Sequence, residues 1–121
     1  MVDNTPAEDD PVLDRVFHAL ADPSRRRIVG LLRETSELRV SDIASAFEMS
    51  LNGVSKHLKV LEAAELICRR VQGRTHYLRV NWQALQPAYE FLHFYQHFWT
   101  QRLDGLVEYA EQQSKRKKKT P

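Results

Sequence analysis

The sequence predicts a mainly α-helical domain, about five helices with a two-stranded β-hairpin, that pairs with a second copy of itself. Three observations lead there. Between Val40 and Leu61 two short helical periods meet at a tight break. Two short β-rich runs follow at once, on either side of Gln72-Gly73-Arg74. From Ala88 to Gln113 runs a long helical pattern crowded with aromatic residues, which offers more apolar surface than one small domain can cover.

The chain has 121 residues, of which 42% are hydrophobic, enough for one domain with tails. Its net charge is +2, unevenly spread: Met1–Asp10 carries −4 and Ser114–Pro121 carries +5, leaving +1 between them. A basic surface must therefore come from arrangement and not from bulk charge. The composition predicts a disordered acidic tail over residues 1–11, a folded domain over 12–113 and a disordered basic tail over 114–121. Cys68 is the single cysteine, so neither an internal disulfide nor a thiolate metal cage is available within one chain. No apolar run approaches the ~20 residues that span a bilayer, and the acidic N-terminus lacks a signal-peptide core. These features predict a cytoplasmic protein.

Val12, Leu13, Val16, Phe17 and Leu20 recur at helical spacing and predict a first helix over 12–21. Asp22 and Pro23 form an N-cap and first-turn pair for a second helix over Ser24–Arg33, with Ile28, Leu31 and Leu32 inward. Arg25, Arg26 and Arg27 fall in its first turn, where cations oppose the helix dipole unless an anion lies nearby. Glu34–Arg39 reads as a polar connector. In the next helix Ile43 and Phe47 share a face. Ser50 then offers a capping hydroxyl for another helix, whose apolar positions are Leu51, Val54, Leu58 and Leu61. Leu66–Val71 and Thr75–Val80 predict two strands joined at Gly73, which is free to take positive φ. Asn81 is placed to cap the last helical segment, which Pro87 interrupts or restarts.

Asn52, Ser55, Lys56 and Lys59 lie between the apolar positions of the second motif helix. Two lysines with small amide and hydroxyl groups suit a groove lined by phosphates, although the same pattern also fits a solvated helix face. Arg69, Arg70, Arg74 and Arg79 make the hairpin strongly basic. Helix, turn, helix and basic hairpin in succession is the order of a winged helix, with one helix for the major groove and a hairpin for the flanking backbone. Lys56, Lys59, Arg69, Arg70 and Arg74 are then candidates for phosphate contacts. The long final helix, at 1.5 Å per residue, offers Phe91, Leu92, Tyr95, Phe98, Trp99, Leu103 and Leu106 to a mate. Val12 and Val16 of the first helix join them as candidate dimer contacts.

Phe17-His18-Ala19-Leu20-Ala21-Asp22-Pro23-Ser24-Arg25-Arg26, then Val54-Ser55-Lys56-His57-Leu58-Lys59-Val60-Leu61, then Gly73-Arg74-Thr75-His76-Tyr77, resemble the ArsR/SmtB family of bacterial winged-helix repressors. The resemblance runs from about Val12 to Gln113. Phe98-Trp99-Thr100-Gln101-Arg102-Leu103 is similar to members that do not sense metal, many of them autorepressors. It implies a homodimeric repressor on a pseudo-palindromic operator, with the last helix forming much of the subunit interface. It also implies that Ser50, Asn52, Ser55 and His57 approach bases or phosphates, that Lys56 and Lys59 face the backbone, and that Arg74 and Thr75 stand at the wing. Where relatives often carry Gln after the capping Ser, this chain has Leu51. Leu51 can touch a thymine methyl but cannot hydrogen-bond adenine. Gly53 either permits close backbone approach or reflects drift, at about 1 kcal/mol of helix propensity against Ala.

Metal-sensing members carry two thiols where this chain has Arg39 and Ser41. Arginine cannot ligate a metal, so no metal is expected at that position. His93 and His97, spaced i, i+4, could clamp a metal on the last helix with Glu90, Asp104 or Glu108 as a third ligand. The simpler alternative leaves both in an aromatic interface. Cys68, between apolar neighbours, reads as a structural side chain. The sequence holds no phosphate loop and no acid–base constellation, and no enzyme or cofactor is predicted. The predicted partners are double-stranded DNA and a second copy of the chain. A small-molecule or metal effector is not required. A protein-binding role for the aromatic run is the alternative from another class.

Overall fold

The structure, a computed structural model, describes residues 10–119, with side chains to Arg116. The acidic tail expected over residues 1–11 lies outside the described residues as far as residue 9. Asp10 and Pro11 belong to the first helix instead. The Asp10 carboxylate accepts from the backbone N–H of Val12 and Leu13 at 3.0 and 3.2 Å, and caps helix α1, Pro11–Leu20.

Helix α2, Pro23–Glu34, starts as the Asp-Pro pair dictates: the Asp22 carboxylate accepts from Ser24 and Arg25 backbone N–H at 2.8 and 3.3 Å. The arginines that would burden this first turn are directed elsewhere. Arg25 Nε donates to the Ala19 carbonyl at 2.7 Å and Nη2 to that of His18 at 3.1 Å, while Arg26 Nη1 donates to that of Leu20 at 2.7 Å. They cap the orphan carbonyls at the C-terminus of α1, where positive charge is favourable.

The two motif helices are α3, Val40–Phe47, and α4, Leu51–Ala63. Both end in the same way. After α3, Glu48 takes φ 54°, its N–H donates to the Ser45 carbonyl, and Met49 N–H reaches back to Ala44 at 3.0 Å. After α4, Glu65 takes φ 60°, its N–H donates to Glu62, and Leu66 N–H reaches Leu61 at 3.0 Å. These are paired 6→1 and 5→2 closures around a left-handed residue, here Glu where glycine is usual.

The hairpin comprises β2, Ile67–Gln72, and β3, Thr75–Val80, with Gly73 at φ +62° starting a two-residue turn. The sheet has three strands rather than two. Strand β1, Leu38–Arg39, pairs antiparallel with β3, so the order is β1-β3-β2. Two residues are too few to leave an alternating pattern, and the sequence shows only a polar connector there. Asn81 does not cap the following helical turn with its side chain. Its Nδ2 donates to the Glu65 carbonyl at 3.0 Å and its N–H to Leu66 at 2.8 Å, closing the sheet onto the end of α4.

The core of this winged body gathers Leu13, Val16 and Ala19 from α1, Ile28 and Leu32 from α2, Ile43 from α3, and Val54, Leu58 and Leu61 from α4, with Leu66, Ile67, Leu78 and Val80 around the sheet. Each large aliphatic side chain removed from water contributes about 1.5–3 kcal/mol. Val16, expected at a subunit interface, is 0% exposed and belongs to this core.

Helix α5, Gln86–Lys119, follows a 3-10 turn at Trp82–Leu85, with Pro87 in its first turn, where a missing N–H costs nothing. From Tyr89 onward it forms a unit of its own. Its 34 residues extend for about 51 Å. Residues 114–119, expected as part of a disordered tail, are helical. Lys and Arg are good helix formers, and cations suit a helix C-terminus.

Candidate nucleic-acid interface

Helix α4 is divided by its own periodicity. Val54, Leu58 and Leu61 are buried, while Asn52, Lys56 and Lys59 stand exposed on the opposite side and Ser55 is half-buried between them. The Ser50 hydroxyl accepts from Gly53 N–H at 3.0 Å and fixes the start of the helix. A Cβ on Gly53 would sit 3.2 Å from that oxygen. The glycine therefore leaves room for the cap itself. Leu51, grouped with the apolar stripe in the sequence, is 57% exposed. Its side chain lies on the edge of α4 that faces the wing.

A shallow groove of about 400 Å³ opens there, lined by Arg39, Val40 and Ser41 at the start of α3, Leu51 and Ser55 of α4, and Arg69, Arg74, Thr75 and His76 of the wing. Of the expected contributors, Leu51 and Ser55 of the helix and Arg69, Arg74 and Thr75 of the hairpin share this concave surface. Ser50, Asn52, Gly53, Lys56, Lys59 and Arg70 are not part of its lining, nor is His57. It is half-buried on another flank of α4, where its charge reaches Asp22. Desolvation raises the Asp22 carboxyl, but the backbone N–H groups of Arg25 and Ser24 and the charges of Arg25 and His57 outweigh it and hold the group below its ordinary value.

The cations differ in a way the sequence does not show. Arg69 forms an ion pair with Glu62 at 2.6 Å. Arg70 Nε donates to Glu37 at 2.8 Å and Nη1 to Gln72 at 2.9 Å, and the guanidinium lies 4.4 Å over the Tyr77 ring. Arg39 donates to Asp42 through Nη2 at 3.0 Å and Nε at 3.1 Å. That hydrogen bond is the main cause holding Asp42 below, and Arg39 above, their ordinary pKa values. Lys56, Lys59, Arg74 and Arg79 have no acidic partner among the described residues. Spacing marks arginines alike. Only the fold shows which ones a nearby carboxylate already holds.

On α5, Leu92, Phe98, Trp99, Leu103 and Leu106 are exposed, the last two at 60% and 64%. Phe91 and Tyr95 are half-buried and their rings meet at 5.2 Å. Val12 of α1 is 49% exposed. His93 Nδ1 lies 3.1 Å from Gln96 Oε1. Among the described residues no group of three or more His, Cys, Asp or Glu side chains could hold a metal ion. Cys68 is half-buried on the outer face of β2, opposite Arg79. Among the described residues no helix is long and apolar enough to cross a membrane.

A helix with one face in the core and the other offering amide, hydroxyl and ammonium groups, followed by a basic hairpin, defines a winged helix-turn-helix domain. A helix-turn-helix domain family matches residues 20–70. Over 80 residues the chain is 34% identical to the transcriptional repressor SdpR of Bacillus subtilis (strain 168), a match covering 66% of this chain and 88% of that protein. Among solved structures, an ArsR family transcriptional regulator superposes with a TM-score of 0.69 at 31% identity, over 78% of this chain and 96% of that one. A homodimeric winged helix-turn-helix DNA-binding domain from Mycobacterium bovis superposes with a TM-score of 0.57 at 29% identity, over 66% of this chain and 80% of that one. The chain belongs to the ArsR/SmtB family of winged helix-turn-helix transcriptional regulators.

Proposed function

We propose that this protein is a homodimeric repressor that occupies a pseudo-palindromic operator. Each protomer seats α4 in a major groove and rests its wing on the adjoining strand. The observation that carries this reading is the split on α4: Asn52, Lys56 and Lys59 are exposed while Val54, Leu58 and Leu61 anchor the same helix in the core. Ser50, Leu51, Asn52 and Ser55 are nearest the base edges; Lys56, Lys59, Arg74 and Thr75 face phosphates. Gly53 serves the cap, and His57, Arg69 and Arg70 support the fold beside the interface.

The exposed apolar length of α5, with Val12, supports self-association, as does the homodimeric neighbour. The chain acts without a metal, a cofactor or catalysis: Arg39 and Ser41 stand where metal sensors place thiols, and Arg39 is spent on Asp42. It works in the cytoplasm.

Binding to DNA fragments in rising salt tests the interface. The logarithm of affinity falls linearly with the logarithm of salt, with a slope of about −0.9 per phosphate neutralised. Lys59→Ala is expected to lower affinity for all sequences alike and to reduce that slope by about one. Asn52→Ala is expected to leave the slope unchanged and relax the preference at one base pair, by about 1–3 kcal/mol of discrimination. Identical behaviour of the two variants contradicts the assignment of the face.

A further inference from the structure

The wing is tied to α4 by one chain of polar contacts. Glu62 stands on the same edge of α4 as Leu51 and Ser55, because positions four and seven apart fall near whole helical turns. Its carboxylate takes two nitrogens of Arg69: Nη2 donates to Oε1 at 2.6 Å and Nε to Oε2 at 3.2 Å. The third nitrogen, Nη1, lies 3.1 Å from Nδ1 of His76. Arg69 is on β2 and His76 on β3, so the chain starts on the helix and crosses both strands of the hairpin. All three guanidinium nitrogens are engaged, and a forked pair of this kind fixes direction as well as distance.

We propose that Glu62 is a positioning residue for DNA recognition: through Arg69 and His76 it sets the wing against α4, and Arg69 is a brace rather than a phosphate contact. The proposal rests on the DNA-binding reading above. Contact with the flanking backbone then falls to Arg74 at the turn of the wing, which has no acidic partner among the described residues. Simple electrostatics and the brace give opposite signs for one substitution. Removing the Glu62 anion from a surface that meets a polyanion should tighten binding if charge alone matters. It weakens binding if the carboxylate holds the wing in place.

The test uses the full chain, a DNA fragment selected by the wild type, and the variants Glu62→Ala, Arg69→Ala and both together. Each single variant is expected to lower affinity about fivefold at moderate salt, and both are expected to lower the log–log slope to the same extent, because the wing's phosphate contacts are lost with the brace. The double variant is expected to lose no more than either single one, since the two residues act as a unit. Hydroxyl-radical protection should disappear from the flanking nucleotides and persist at the centre of each half-site. In the free proteins, amide exchange in the hairpin should quicken for Glu62→Ala. Glu62→Gln, which keeps the shape and one acceptor, should fall between wild type and Glu62→Ala and guards against a misfolded variant. Tighter binding by Glu62→Ala, a slope lowered in Arg69→Ala but not in Glu62→Ala, or additive losses in the double variant would each overturn the brace. If the wild type shows no salt-dependent binding at all, the DNA reading fails, and hairpin exchange alone decides the brace.

Discussion

Glu48 and Glu65 hold the left-handed backbone that ends α3 and α4, at φ 54° and 60°. An L-residue with a Cβ is disfavoured there by roughly 1 kcal/mol or more. Glu65→Gly is therefore expected to stabilise the protein by about 0.5–1 kcal/mol, read as a higher urea midpoint at unchanged slope. Asp42 makes a second residue-scale prediction. The Arg39 hydrogen bond, with the Arg39 backbone N–H and charge added, holds its carboxyl below the ordinary value of 3.8. A depressed carboxyl adds stability that is fully present above its ordinary pKa and is lost as pH falls through the folded value. Asp42→Asn should be less stable than wild type at neutral pH, and the gap should close as pH falls through the folded carboxyl's lowered value, measured by denaturant titration across that range. Capping residues such as Asp22 and Ser50 were legible because a short oxygen-bearing side chain before an apolar period has one common use. The partners of Arg69 and Arg70 were not, because Glu62 and Glu37 reach them only through tertiary folding.

Among the elements, helix and hairpin declare themselves through period. Ile28 and Leu32, or Val54, Leu58 and Leu61, recur every three or four positions and are buried together. Leu78 and Val80 alternate on β3, as a strand with one wet face should. Strand β1 was invisible because two residues cannot show a period, and its pairing partner Leu78 lies forty positions away. Leu51 misled for the reverse reason. It keeps the apolar spacing of α4 but lies past the edge of the core, open to the groove. Val16 sits on an amphipathic helix where interface and core are equally apolar, so spacing could not assign it to one of them. The apolar length of α5 carries its own prediction. Leu103→Glu, at a position 60% exposed in the protomer, places a charge where a mate would pack. It is expected to shift the protein to monomer in sedimentation and to lower affinity for a two-half-site fragment more than tenfold, while the winged body stays folded by circular dichroism. Retention of both dimer and affinity would return α5 to a surface for some other protein.

On the scale of the whole molecule, a net charge of +2 conceals the division that matters. The carboxylates of Glu37, Asp42 and Glu62 neutralise three arginines, and the remaining lysines and arginines of α4 and the wing have no acidic partner among the described residues. Such a surface attracts phosphate weakly per protomer and gains from two-fold pairing, since doubling the contacts doubles the counterions released. A symmetric dimer also imposes symmetry on its site: two recognition helices occupy successive major grooves about 34 Å, or about 10 base pairs, apart. The most direct measurement is repeated selection of bound fragments from random DNA by the full chain. Enrichment of two inverted half-sites with centres about 10 base pairs apart is the predicted result. Recovery of no common sequence, or of a single half-site with no inverted partner, would contradict it.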